Sequence, residues 1–143
     1  AQAQKVYEGL CDIALMNTYY YGLLLSNNAQ RPVANATQIF FPGQDDKGSY
    51  VLYSGVAVAK TAQNKDEARM LVDFMLGTVG QNFFSQVNFE YPVDNNVAYS
   101  VITQGFGEGQ SGIENGPKFN HIDAEAVAAN RELAVKILTE ASK

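Results

Sequence analysis

An α/β fold is the class this sequence predicts, and three observations predict it. Short apolar runs bounded by turn residues alternate with segments of helical periodicity. Two adjacent helices carry start signals of the Asn-x-x-Glu and Thr-x-x-Gln kind, at Asn64–Glu67 and Thr78–Gln81. A final stretch from Asp123 to the end repeats its apolar positions at helical spacing.

The elements follow in order. The opening "AQAQKVYEG" reads as the last turns of a helix. "CDIALM", residues 11–16, is a short apolar run after Gly9 and reads as a buried strand. "NTYYYGLLL" follows as a helix that Asn17 or Thr18 can cap. "TQIFF", 37–41, reads as a second strand, stopped by Pro42-Gly43, and "GQDDKGS" as a loop. "YVLYSGVAVA", 50–59, is strand-like, with Gly55 marking a bulge or a close backbone approach. Ala68, Leu71, Val72, Met75 and Leu76 then share one helical face, and Gly77 stands where a C′ residue belongs. The next helix is expected to turn Val79, Phe83 and Val87 inward. Tyr91 precedes Pro92, which returns the chain to an extended state. Residues 105–117, with five glycines and a proline, form a loop. Asp123 caps the last helix, in which Val127, Arg131, Ala134 and Leu138 trace one side.

Bulk properties narrow the function. At 143 residues the chain suits one domain on length alone and can bury roughly two thirds of its unfolded surface. Apolar residues are 46% and charged residues 17%, a globular composition. A formal charge of −5 argues against nucleic acid or an anionic membrane as main partner, since both attract basic patches. Cys11 is the only cysteine, which excludes a disulfide framework and a cysteine-based zinc site within the chain. Residues 13–30 lack charge, but Asn17, Thr18, Ser26, Asn27, Asn28 and Gln30 interrupt them too often for a membrane span. No signal peptide is visible at the start.

Most chemical motifs fall away. His121 is the only histidine, so a catalytic triad or a His-based zinc site would rest on it alone. It reads instead as a loop residue before a helix cap. "GFGEGQSGIENG" lacks the lysine and the spacing of a phosphate loop. Asp45-Asp46 and Asp94-Asn95-Asn96 lack EF-hand spacing. No nucleophile–base pair is found, so an enzyme is not expected.

The three consecutive tyrosines, Tyr19, Tyr20 and Tyr21, remain. One reading is packing, with one ring inward and two half exposed. The other is coordination. Phenolate is a hard oxygen donor, and hard, highly charged cations prefer oxygen. A free phenol titrates near 10, so only a strong Lewis acid deprotonates it at neutral pH. Fe³⁺ is such a cation, and tyrosinate–iron ligation occurs in haem proteins. Exposed amides at the helix start beside Asn17 would favour an anion.

"EGLCDIALMNTYYYG" resembles the iron-site segment of periplasmic ferric-ion-binding proteins, the substrate-binding subunits of Fe³⁺ ABC importers. "SGVAVAKTAQNKDEARMLVDFMLGTVGQNFFSQVNFEYPV" is similar to a later segment of the same proteins, and residues 126–138 match more loosely. The Asn-Thr-Tyr-Tyr element is the more specific of these signals. The resemblance implies a type II periplasmic-binding-protein fold, two α/β lobes that close on ligand by a hinge. It covers the C-terminal portion of such proteins. On that basis residues 1–49 form a second-lobe segment with the tyrosine motif. Residues 50–99 cross to the first lobe, and residues 100–143 return to the second. A middle segment separated from the rest of its lobe would leave strand edges and apolar helix faces open.

The same resemblance implies Tyr19 and Tyr20 as Fe³⁺ ligands and Tyr21 as a packing residue. It implies Asn17 as a holder of a synergistic anion such as carbonate, phosphate or citrate. The partners implied are ferric ion and the membrane permease of an ABC importer, in the periplasm, with no nucleic acid and no insertion into the membrane. Two alternatives stay open: a binding protein of the same fold for a small organic ligand, and a metal-free protein-interaction fragment.

Overall fold

The structure, a computed structural model, describes residues 2–142. Seven helices and one pair of short strands are seen among them. The helices are α1 (Gln2–Tyr7), α2 (Thr18–Ser26), α3 (Arg31–Asn35), α4 (Lys65–Leu76), α5 (Thr78–Asn88), α6 (Val101–Gln104) and α7 (Ala124–Ala141). β1 (Ser49–Tyr50) and β2 (Phe119–Asn120) pair in parallel, Ser49 opposite Phe119 and Tyr50 opposite Asn120.

α2 is the hub. It packs against α3, α5 and α6, while α1 rests on α3 and α4 lies along α5. Its backbone starts at Asn17, in an extended conformation, and its last turn closes where the Asn27 amide donates to Leu23 O at 3.2 Å. The Asn27 side chain then accepts from Ala29 N at 2.9 Å and opens the turn into α3. Arg31 donates from Nε to Leu25 O at 2.9 Å, placing a cation on the carbonyl end of α2. Pro32 sits in the first turn of α3, where its missing amide costs no hydrogen bond.

Gly22 shows why α2 carries a glycine mid-helix, normally about 1 kcal/mol worse than alanine. A Cβ there would lie 2.5 Å from Cβ and 2.6 Å from Cγ of Phe89. Phe89 is buried and terminates α5 in the left-handed conformation at φ 60°, which non-glycine residues seldom adopt. The two residues hold α2 and the end of α5 in direct contact.

Aromatic rings join the loops to this hub. Phe41 meets Phe119 edge-on at 6.3 Å, and Tyr91 meets both Phe119 and Tyr99 edge-on at 4.8 and 5.0 Å. Two glutamines act as substitute strands. Gln110 accepts from Phe41 N at 2.9 Å and donates to Phe41 O at 2.5 Å. Gln44 accepts from Lys118 N at 2.7 Å and donates to Lys118 O at 3.1 Å. Each side-chain amide thereby satisfies both backbone groups of one loop residue, anchoring the glycine-rich loop against residues 41–49.

Several expectations need correction. The helices are found where periodicity puts them, but the apolar runs 11–16 and 37–41 make no strand ladder among the described residues. The 50–59 segment pairs only at Tyr50, with one further bond from Val51 N to Asn120 O. Ile13 and Leu15 in the first run are 82% and 88% exposed. An apolar run supplies strand propensity, but a ladder also needs a neighbour within hydrogen-bonding distance. Val79, Phe83 and Val87 of α5 face outward, and Gly80, Gln81 and Ser85 are its buried positions. The reason is close approach: a Cβ at Gly80 would lie 2.3 Å from Phe74 O of α4. Gln81 donates to Met75 O at 2.9 Å and accepts from Val93 N at 2.8 Å. Gly77 joins α4 to α5 in an extended conformation, at φ −71°, instead of a left-handed cap. Apolar side chains of α4, α5 and α7 lie open to solvent, among them Met70, Phe74, Phe83 and Leu138.

Candidate metal centre

The first turn of α2 sorts the three tyrosines into two kinds. Successive helical residues point about 100° apart, so neighbours in sequence do not ordinarily face one another. Tyr19 and Tyr20 nevertheless bring their ring centroids to 4.1 Å, with planes tilted by 39°. Tyr20 is 50% exposed and Tyr19 is half-buried. The neighbouring Tyr19 phenol, first by hydrogen bonding and then by charge, raises the pKa of Tyr20 above the ordinary phenol value. Two phenols thus share one open patch at a helix start.

Tyr21 behaves differently. Its hydroxyl donates to Ala34 O at 2.9 Å and Thr37 O at 3.0 Å, and its ring stands edge-on to Phe106 at 5.6 Å. Burial pushes its phenol up. This oxygen is engaged with backbone carbonyls, and the Thr37 side chain offsets part of the rise.

Asn17 takes the N-cap position of α2, but its side chain makes no capping bond. Its carbonyl accepts from Tyr20 N at 3.2 Å. The first amides of α2 are therefore without a side-chain cap and, with the helix dipole, form a local anion-favouring field next to the phenol pair.

Other candidates stand apart. His121 meets the phenol of Tyr53 beyond the β1–β2 pair, a contact that spacing in sequence does not reveal. No group of three or more His, Cys, Asp or Glu side chains is gathered to hold a metal among the described residues. Asp94 turns back on Asn96, whose backbone and side-chain bonds lower its pKa, and makes a local turn. A groove of about 470 Å³ lies between Tyr50, Ile122 and the α7 side chains Val127, Arg131 and Leu138. It is open and apolar and does not include the tyrosine pair. No helix among the described residues is long and apolar enough to cross a membrane.

Comparison with known proteins gives this geometry its context. No protein-family model matches the chain. Iron uptake protein A1 of Synechocystis sp. is 40% identical over 113 residues, which is 78% of this chain and 31% of that protein. The major ferric iron-binding protein of Neisseria meningitidis serogroup B is 38% identical over 94 residues, 66% of this chain and 28% of that protein. Among solved structures, a ferric binding protein from Campylobacter jejuni superimposes with a TM-score of 0.84 at 34% identity, over 96% of this chain and 42% of that one.

The chain is a homologue of ferric iron-binding proteins.

The apo ferric ion-binding protein A of Pasteurella haemolytica agrees, with a TM-score of 0.83 at 33% identity over 96% of this chain and 41% of that one. The fold is that of a portion of a type II periplasmic-binding protein, in the α/β class expected. The chain spans about a third of the length of the curated relatives it matches. Short, isolated strand pairing is therefore compatible with α/β membership, because the superposition is with part of a larger fold.

Proposed function

We propose that this polypeptide contributes to the binding of Fe³⁺ for uptake, with Tyr19 and Tyr20 as phenolate ligands. One observation carries the reading: two phenols meet at a helix start while the third hydroxyl of the same run is committed to backbone carbonyls. Fe³⁺ is the cargo, and the protein's work is coordination, not catalysis. The names of the relatives, iron uptake protein and ferric iron-binding protein, support iron as that cargo. In the reading, Asn17 and the first amides of α2 hold a synergistic anion such as carbonate, phosphate or citrate. Two phenolates cannot fill an octahedral site, so further oxygen donors come from outside the tyrosine run. Delivery is to the membrane permease of an ABC importer, in the periplasm.

The chemistry follows from charge. Fe³⁺ replaces the phenolic protons, and each phenolate formed releases one proton. The raised pKa of Tyr20 makes protons stronger competitors, so Fe³⁺ affinity falls as pH falls. Tyrosinate–iron bonds absorb visible light by charge transfer. The test is Fe³⁺ titration of the native full-length polypeptide, followed by absorbance and calorimetry, with a panel of small organic solutes alongside. A visible band that Tyr19→Phe and Tyr20→Phe each weaken and shift, and that the double variant abolishes, is expected. A colourless complex, unchanged affinity in both variants, or tight binding of an organic solute without iron would reject the assignment.

A further inference from the structure

The Tyr19–Tyr20 pair poses a geometric problem that the ligand assignment does not answer. Consecutive helical side chains diverge, yet these rings meet on a surface where Tyr20 is largely open to solvent. Something on the packed side of α2 must fix the orientation of its first turn. The next residue is the one so placed. The Tyr21 phenol donates to the carbonyls of Ala34, in the last turn of α3, and Thr37, just beyond it. That acceptor end is itself braced. Thr37 Oγ1 donates to Val33 O at 3.1 Å and Ala34 O at 3.2 Å. The Tyr21 ring stands edge-on to Phe106, which is only 2% exposed. One turn of α2 is thus bolted to α3 by a hydroxyl and to the loop after α6 by a ring.

We infer that Tyr21 is a positioning residue, which holds Tyr19 and Tyr20 in the register needed to present two phenolates to one cation without touching that cation itself. The inference rests on the iron-site reading and adds to it. The third tyrosine differs from a packing aromatic because its hydroxyl, not only its ring, sets the geometry of the pair.

The experiment compares the native full-length polypeptide with Tyr21→Phe, which keeps the ring and removes only the hydroxyl. Phe106→Leu, which disturbs the ring contact and keeps the hydroxyl, is the second variant. Fe³⁺ affinity and the position and intensity of the charge-transfer band per bound iron are measured at saturation, with thermal melting as the folding control. Freeing side chains that were held in place should weaken Fe³⁺ binding roughly two- to tenfold in either variant. The band should persist with a shifted maximum, a signature that mere loss of stability would not move. An unchanged band and affinity with a lowered melting temperature in both variants overturns the positioning role and leaves the ligand assignment standing. A fall in band intensity per bound iron in folded Tyr21→Phe as large as that in Tyr19→Phe or Tyr20→Phe also overturns it, by making Tyr21 a ligand. If Tyr19→Phe and Tyr20→Phe both keep the parental band, the iron site and this inference fall together.

Discussion

Gly22→Ala places a methyl group where Phe89 already lies. In an exposed helix interior this substitution is stabilising, by about 1 kcal/mol. Here the new Cβ would sit 2.5, 2.6 and 2.9 Å from Cβ, Cγ and Cδ2 of Phe89. Carbon atoms rest at roughly 3.5–4.0 Å, so α2 and the end of α5 must part by about 1 Å. A rotamer change of Phe89 does not relieve the clash, because its Cβ is fixed to the backbone, and that backbone is already left-handed at φ 60°. Overpacking of this kind costs roughly 1–3 kcal/mol, and the short distances argue for the upper end. After the helix-propensity gain the net effect is a loss of about 2 kcal/mol. Urea unfolding followed by circular dichroism reads it as a lower midpoint with an unchanged slope. The same Gly22→Ala change in a Phe89→Gly background should be neutral or stabilising, because the obstructing atoms are gone. That difference is a coupling energy, which separates contact from propensity. Equal or greater stability for Gly22→Ala in the parental protein would refute the claim that Phe89 dictates the glycine.

Further outcomes follow from single groups. Gln44→Ala leaves the amide and carbonyl of Lys118 without their side-chain partner. The expected loss is about 1–3 kcal/mol, read by denaturant midpoint, and the glycine-rich loop should become more open to proteolysis. Tyr91 has a buried hydroxyl with no hydrogen-bond partner among the described residues. Tyr91→Phe should therefore hold or raise the melting temperature, by up to about 1 kcal/mol in stability. Burial also raises the Tyr91 phenol above its unfolded value of 10.0. The neutral form is favoured in the fold, so that contribution is whole below pH 10 and is lost as pH rises further. Tyr91→Phe should lose less stability than the parental protein between neutral pH and strong alkali, measured by melting temperature against pH.

Helices were legible in the sequence because their signals are local. Asp123 does cap α7, accepting from Glu125 N at 3.1 Å, and α4 and α5 lie where periodicity puts them. Neither expected capping box forms: Asn64 makes no side-chain capping bond, and Gly77, not Thr78, is the N-cap of α5. The short helices α3 and α6 leave no periodic signal in the sequence. Each spans barely more than a turn, too short for periodicity to register, although Pro32 and the Ser100 cap mark their starts. The site was half legible. Adjacent tyrosines behind Asn17 suggested oxygen coordination, and the residues quoted with them resembled ferric-ion-binding proteins.

Local chemistry therefore determined helix positions, the absence of cysteine- or histidine-rich chemistry, and the identity of the three phenols. Only tertiary structure decided what each phenol touches. The Tyr21 hydroxyl finds carbonyls 13 and 16 residues away, and Gln44 reaches across 74 residues to Lys118. The same distance dependence explains the strands. A helix closes its hydrogen bonds four residues back, within reach of its own sequence. A strand closes them on a remote neighbour, so "CDIALM" and "TQIFF" carry strand propensity without a ladder of their own.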